Sequence, residues 1–303
     1  MTPSSLLKDA CPAAFLRRGA AQAMRPRLQR TLAALMAAGS CSFLATAASA
    51  QSDALTPATQ EAAEAGKREA PAKSGGSQWA LGLGAGVSER AYAGADRKFT
   101  ALPLLFYEND WLRFAGATAE LKLLNHAFTP TQRLTGGLQV RYAPDGYKAS
   151  DSSRLTGMAE RKGGILGGFG LAWHNPMAQV RLDWSSDLSG HSKGQRLQLQ
   201  ADRRFQLGAA SISPRLGAQW MDRKWVDYYY GVRAQEALAD RPAYLGEAGV
   251  ALEAGVRLDY AIQQRHVIFL DVGVTHLPKE VTNSPIVDRS NVPRAMVGYL
   301  YRF

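Results

Sequence analysis

The chain has 303 residues and two cysteines, and 36 Lys and Arg against 26 Asp and Glu give it a formal charge of +10. Residues 1–50 hold six of the basic residues and, of the acidic ones, Asp9 alone. The remainder therefore carries 30 against 25, with no basic run of the kind that binds nucleic acid. Both cysteines, Cys11 and Cys41, fall in that opening segment, which leaves the rest without disulfides, thiolate metal sites or cysteine nucleophiles.

Arg25, Arg27 and Arg30 precede the apolar run 32–38, and Ala48-Ser49-Ala50 follows it. A basic region, a short apolar core and a small-x-small site make a secretory signal peptide, with cleavage expected between Ala50 and Gln51. Met24 stands just before the basic region, so residues 1–23 read as an over-called start. The rival reading acylates Cys41, but Ala38 stands where a lipoprotein signal usually has Leu. Residues 51–77 are rich in Ala, Glu, Lys, Ser and Gly and read as a flexible periplasmic leader, with a short helix conceivable over 60–68. No later apolar run approaches the roughly 18 residues of a spanning helix.

From Trp79 onward the dominant period is two. Ala248, Val250, Leu252, Ala254, Val256, Leu258 and Tyr260 alternate with Glu253, Arg257 and Asp259. Leu197, Leu199, Ala201 and Phe205 alternate with Arg196, Gln198, Gln200, Asp202 and Arg204. The pattern returns around Arg133 and Arg141, around Arg181 and Asp183, and around Arg215. Such segments are longer than the ~5–6 residues usual in a soluble sandwich. They suit strands crossing an apolar band about 25 Å tall, with aromatics at both interfaces. The reading is an all-β, transmembrane, antiparallel outer-membrane barrel over residues 78–303.

Eleven candidate strands emerge: 79–88, 99–107, 111–124, 131–142, 163–173, 177–188, 193–205, 209–221, 246–260, 263–276 and 294–303. The apolar phase slips inside 111–124, from Leu112 and Phe114 to Ala117, Ala119, Leu121 and Leu123. Splitting that segment at Gly116 gives 12 strands; 10 is the alternative. Connections 143–162, 222–245 and 277–293 become extracellular loops, and 174–176 and 206–208 periplasmic turns. In the last strand Val297, Tyr299, Tyr301 and Phe303 share one face, as in strands that close outer-membrane barrels.

The segments Gly82-Leu83-Gly84-Ala85-Gly86-Val87, Ala91-Tyr92-Ala93-Gly94-Ala95-Asp96, Leu102-Pro103-Leu104, Tyr107 and Arg113-Phe114 resemble, in order and spacing, the N-terminal signature of the MipA/OmpV family. Arg90 and Ala95 depart from it, where Pro and Ser are usual. Leu155-x-Gly157-Met158, the Asp187–Gly194 segment, Tyr228-x-x-Gly231-Val232 and Arg241-Pro242-x-Tyr244 also match family landmarks. The resemblance implies an outer-membrane protein of a Gram-negative cell, a scaffold joining a lytic transglycosylase to a penicillin-binding protein.

Inward-facing Arg133, Arg141, Arg181, Arg196, Arg204, Arg215 and Arg257 face Asp183, Asp202, Glu253, Asp259 and Asp271 across the lumen. Opposed charges there pair, giving a plugged interior; the alternative is a narrow, weakly anion-preferring channel for small solutes. His191-Ser192 invites comparison with outer-membrane hydrolases, but adjacent strand residues point to opposite faces. No enzyme activity, cofactor or metal is expected, since His126, His174, His266 and His276 lack metal-ligand spacing. The stretch 222–230 mixes charge with aromatics. It reads as a loop folded onto the barrel mouth or as one contacting lipopolysaccharide, a partner or a ligand. Outer-membrane lipids and lipopolysaccharide are the expected surroundings.

Overall fold

The computed structural model describes residues 77–303. The cleavage site at Ala50 and Gln51 and nearly all of the 51–77 leader lie outside the described residues. Period-two alternation becomes one antiparallel sheet. Strands β1 (Gln78–Ser88), β2 (Lys98–Glu108), β3 (Leu112–Ala115), β4 (Thr118–Thr129), β5 (Gln132–Ala143), β6 (Gly164–His174) and β7 (Gln179–Asp187) follow as successive neighbours. Next come β8 (Gln195–Asp202) and β9 (Phe205–Leu207), two pieces of one crossing that break at Arg203 and Arg204 and both pair with β10 (Ala210–Met221). Then β11 (Gly249–Gln263), β12 (His266–His276) and β13 (Asn291–Arg302) complete the wall, and β13 pairs with β1. The result is a closed barrel of 12 crossings, which leaves no long sheet edge to face lipid. Among the described residues no helix is long and apolar enough to cross a membrane.

The phase slip at Gly116 is a turn: Gly116 takes a φ of 57° between β3 and β4, a left-handed conformation that costs glycine little. The split makes 12 crossings rather than 10. β3 is the shortest crossing, pairing with β2 only through Phe106–Glu108 and with β4 through Thr118–Leu121. Instead of the expected turn 206–208, Gln206 and Leu207 continue the ladder in β9 and the chain reverses at Gly208, where φ is 64°. Val297, Tyr299 and Phe303 stay exposed on the outer face, with Tyr301 partly so.

Antiparallel order places the connections 89–97, 144–163, 188–194, 222–248 and 277–290, together with the short Gly116 turn, at one end and the remaining tight turns at the other. In outer-membrane barrels the long loops face outward. Here they fold into a cap with its own apolar core of Tyr92, Tyr147, Leu155, Met158, Trp225, Val226, Tyr229, Val281 and Ile286. The stretch 222–230 forms α1 (Arg223–Tyr230). Asp222 caps it by accepting from the Trp225 N–H at 2.8 Å, and Trp225, Val226 and Tyr229 turn inward. It folds onto the mouth as an amphipathic segment. A short α2 (Lys279–Thr282) buries Val281 beside it.

Candidate functional site

The lumen is the chemically loaded part of the molecule. Arg215 on β10 reaches over β11 to Asp271 on β12, its two terminal nitrogens 2.8 and 3.0 Å from the carboxylate oxygens. Its Nε also meets Glu253 at 3.2 Å, and Arg294 of β13 holds the same Glu253 oxygen. A Cβ at Gly255 or Gly273 would strike the Arg215 guanidinium, so these glycines clear its path. Arg257 and Asp259, two apart on β11 and hence on one face, pair at 2.8 Å. The Arg257 guanidinium also lies 3.8 Å from the centre of the Phe269 ring, a desolvated cation–π contact. Phe269 belongs to an apolar cluster inside the barrel with Leu102, Leu104, Val267, Met296 and Leu300.

A second network lines the β3–β7 wall. Arg113 and Glu120 pair at 3.2 Å across the Gly116 turn. Arg181 lies 3.6 Å from Glu120 and 2.8 Å from Asp183, whose other oxygen accepts from Gln139 at 2.9 Å. Arg141 sits in the field of Asp183 and Asp145. Arg196 bridges lumen and cap, 3.6 Å from Asp145 and 4.3 Å above the Trp225 ring. Asp202 is buried opposite Arg215 and Gln179 in register.

One of the expected lumen residues stands elsewhere. Arg133 is exposed at the periplasmic foot, opposite His174, while Arg204 is half-buried between β8 and β9. Arg133 lies beyond the networks, because alternation fixes a residue's face and not its height. Conversely, Arg113, Glu120, Gln139 and Arg294 join the networks without having been read as lumen residues. For the first two the signal was the phase slip, since a turn at Gly116 points both inward. Arg113, Glu120, Arg141, Arg181, Asp183, Arg196, Asp202, Arg215, Arg257, Asp259 and Asp271 are each at most 9 % exposed. These charges have little contact with water.

His191 and Ser192 take different partners. His191 Nδ1 lies 2.8 Å from the Gly163 carbonyl, whereas the Ser192 hydroxyl donates to Asp187 at 2.9 Å. Among the described residues no three or more His, Cys, Asp or Glu are grouped to hold a metal.

In the cap, Arg161 and Glu236 form a buried pair at 2.8 Å, and Arg241 donates to the carbonyls of Glu236, Arg154 and Thr156. Burial on its own raises the Glu236 pKa. The Arg161 guanidinium and the N–H groups of Ala159 and Arg233 outweigh it and bring the carboxyl down to about 2.

A closed antiparallel barrel of 12 crossings, apolar outside and charged within, defines a transmembrane protein of the outer membrane. Residues 81–303 match the family model described as MltA-interacting protein MipA, and the chain belongs to that family. It is 25 % identical over 230 residues to the putative outer membrane protein YiaT of Escherichia coli K12, covering 75 % of this chain and 92 % of that one. It is 26 % identical over 229 residues to the MltA-interacting protein of the same strain, covering 75 % and 90 %. To OmpV of Vibrio cholerae it is 26 % identical over 216 residues, covering 71 % and 82 %. Among solved structures it is similar to an outer-membrane channel of Pseudomonas putida F1, with a TM-score of 0.43 and 12 % identity over 77 % of this chain and 97 % of that one. Similarity at that level concerns only the barrel.

Proposed function

We propose that this barrel is a non-enzymatic, non-conducting outer-membrane protein that scaffolds a murein-remodelling enzyme of the lytic transglycosylase class. The burial of the lumen charges carries the non-conducting half: a pore needs hydrated walls, and here guanidinium–carboxylate pairs occupy the space. The scaffolding half draws on the name of a 26 % identical relative, MltA-interacting protein. The penicillin-binding protein implied as a second partner is named by none of the relatives cited above. Cap loops outside and tight turns inside leave the periplasmic rim as the face for a murein enzyme, and the cap surface as the face for lipopolysaccharide.

Affinity capture of the tagged mature protein from detergent-solubilised envelopes tests the partner. Stoichiometric recovery of a lytic transglycosylase supports scaffolding. Repeated captures that contain no murein enzyme overturn it.

A further inference from the structure

The wall has a short edge on its outer half. β3 pairs with β2 only through Phe106–Glu108, and the chain turns back at Gly116, whose N–H donates to the Leu105 carbonyl at 3.1 Å. Beyond that bond, residues 98–104 of β2 pair with β1 alone. On the opposite flank the last bond between β5 and the β3–β4 hairpin runs from the Tyr142 N–H to the Ala117 carbonyl at 3.1 Å. Above, loops 89–97 and 144–163 meet. Arg90 Nη2 donates to the Gly146 carbonyl at 3.3 Å and to Asp151 at 2.8 Å, and the Ser152 hydroxyl donates to the Ala93 carbonyl. The sheet is left with a notch between β2 and β5, floored by the Gly116 turn and roofed by the cap.

Backbone direction decides which groups face it. Successive residues of a strand offer their N–H and C=O to opposite neighbours. Leu105 faces the hairpin, so Pro103, Ala101 and Phe99 face the notch, while Thr100, Leu102 and Leu104 serve β1. Pro103 has no N–H, which costs nothing at an edge and would break a ladder elsewhere. Pro144, two residues beyond Tyr142, has none to offer from the other flank. The two prolines oppose addition of a further strand, including one from a second copy. Phe99 is 78 % exposed, against 44 % for Phe169 on a strand paired on both sides. The notch is continuous with the lipid-facing band through Leu83 beside Pro103 and Val140 on β5, both exposed. In hydrocarbon the remaining edge groups, those of Ala101 and Phe99, need a hydrogen-bond partner.

We propose that this notch binds an outer-leaflet lipid, lipopolysaccharide, through one of its amide-linked hydroxyacyl chains. The chain lies along β2 between Phe99 and Tyr142, and its amide and hydroxyl meet the backbone groups of Ala101 and Phe99. A phospholipid, whose chains are joined by esters, offers acceptors at that depth but no donor. The site is separate from the periplasmic scaffolding face and does not depend on it.

The test uses the folded mature protein in mild detergent and native mass spectrometry, with lipid A and a diacyl phosphatidylglycerol as probes. Ala101→Pro removes an N–H from the edge, and Thr100→Pro removes the neighbouring N–H from the β1 ladder. Ala101→Trp lays an indole over the notch. Wild type is expected to retain lipid A. Retention of phosphatidylglycerol, and of lipid A by either Ala101 variant, should be about tenfold weaker. Ala101→Pro should keep the heat-dependent gel shift of a folded barrel, and Thr100→Pro should lose most of it. Four results would overturn the proposal: retention of neither lipid, equal retention of both, undiminished retention of lipid A by a folded Ala101 variant, or an Ala101→Pro barrel as impaired as Thr100→Pro.

Discussion

Arg215 and Asp271 meet through both guanidinium nitrogens and both carboxylate oxygens, and Asp271 has no exposed surface. Gly255 and Gly273 exist in this geometry as clearance for the Arg215 head, so one bare inner position on each of two strands serves one ion pair. Removing either partner strands a buried charge, a loss of about 3–5 kcal/mol. Arg215→Ala and Asp271→Ala should therefore lower the urea midpoint of the folded band markedly. Arg215→Met with Asp271→Leu should recover most of it. Single variants as stable as wild type would show that the pair is solvated.

The cap should loosen in acid. Glu236 has its pKa depressed in the folded state, to about 2 against an ordinary value near 4.5. Its stabilisation is therefore complete above the unfolded value and is lost as pH falls from about 4.5 toward 2. Hydrogen exchange of 144–163 and 222–248 should accelerate over that window while β11 and β12 stay protected. Glu236→Gln should show raised exchange already at neutral pH and little further acid response. Cap protection independent of pH down to 2 would contradict the Arg161–Glu236 account.

Closure of the barrel ends at Phe303, whose N–H donates to the Trp79 carbonyl at 3.0 Å and whose ring packs edge-on against Tyr301 at 4.9 Å. The rung contributes about 1 kcal/mol and the ring pair about 1 kcal/mol. Deleting Phe303 should lower the folded yield on insertion into vesicles, read as the fraction of heat-modifiable band. Phe303→Ala should keep the rung and fall between. Equal yields for all three chains would remove this residue from the closure step.

The wall of this barrel was legible because lipid outside and charge inside impose a strict period of two. Leu83, Leu199 and Leu252 lie outward as the alternation requires, and Arg181 and Arg257 inward. The turn at Gly116 was legible as a change of phase. Partner choice was not. Arg215 finds Asp271 two strands away, and that depends on registers of β10 with β11 and β11 with β12 that no single segment encodes. The gap at Arg203 and Arg204 comes from across the sheet, where Pro214 has no N–H to give the ladder, so β8 and β9 keep one register on β10 through it. The cap core was also opaque, since Tyr92, Tyr147 and Tyr229 come from three loops with no shared period.

Conductance of the purified mature protein in planar bilayers tests the central claim, a lumen filled by paired charges. The account predicts no steady step conductance at neutral pH from protein shown by heat-modifiability to be folded. Regular, anion-selective steps from that same preparation would contradict it.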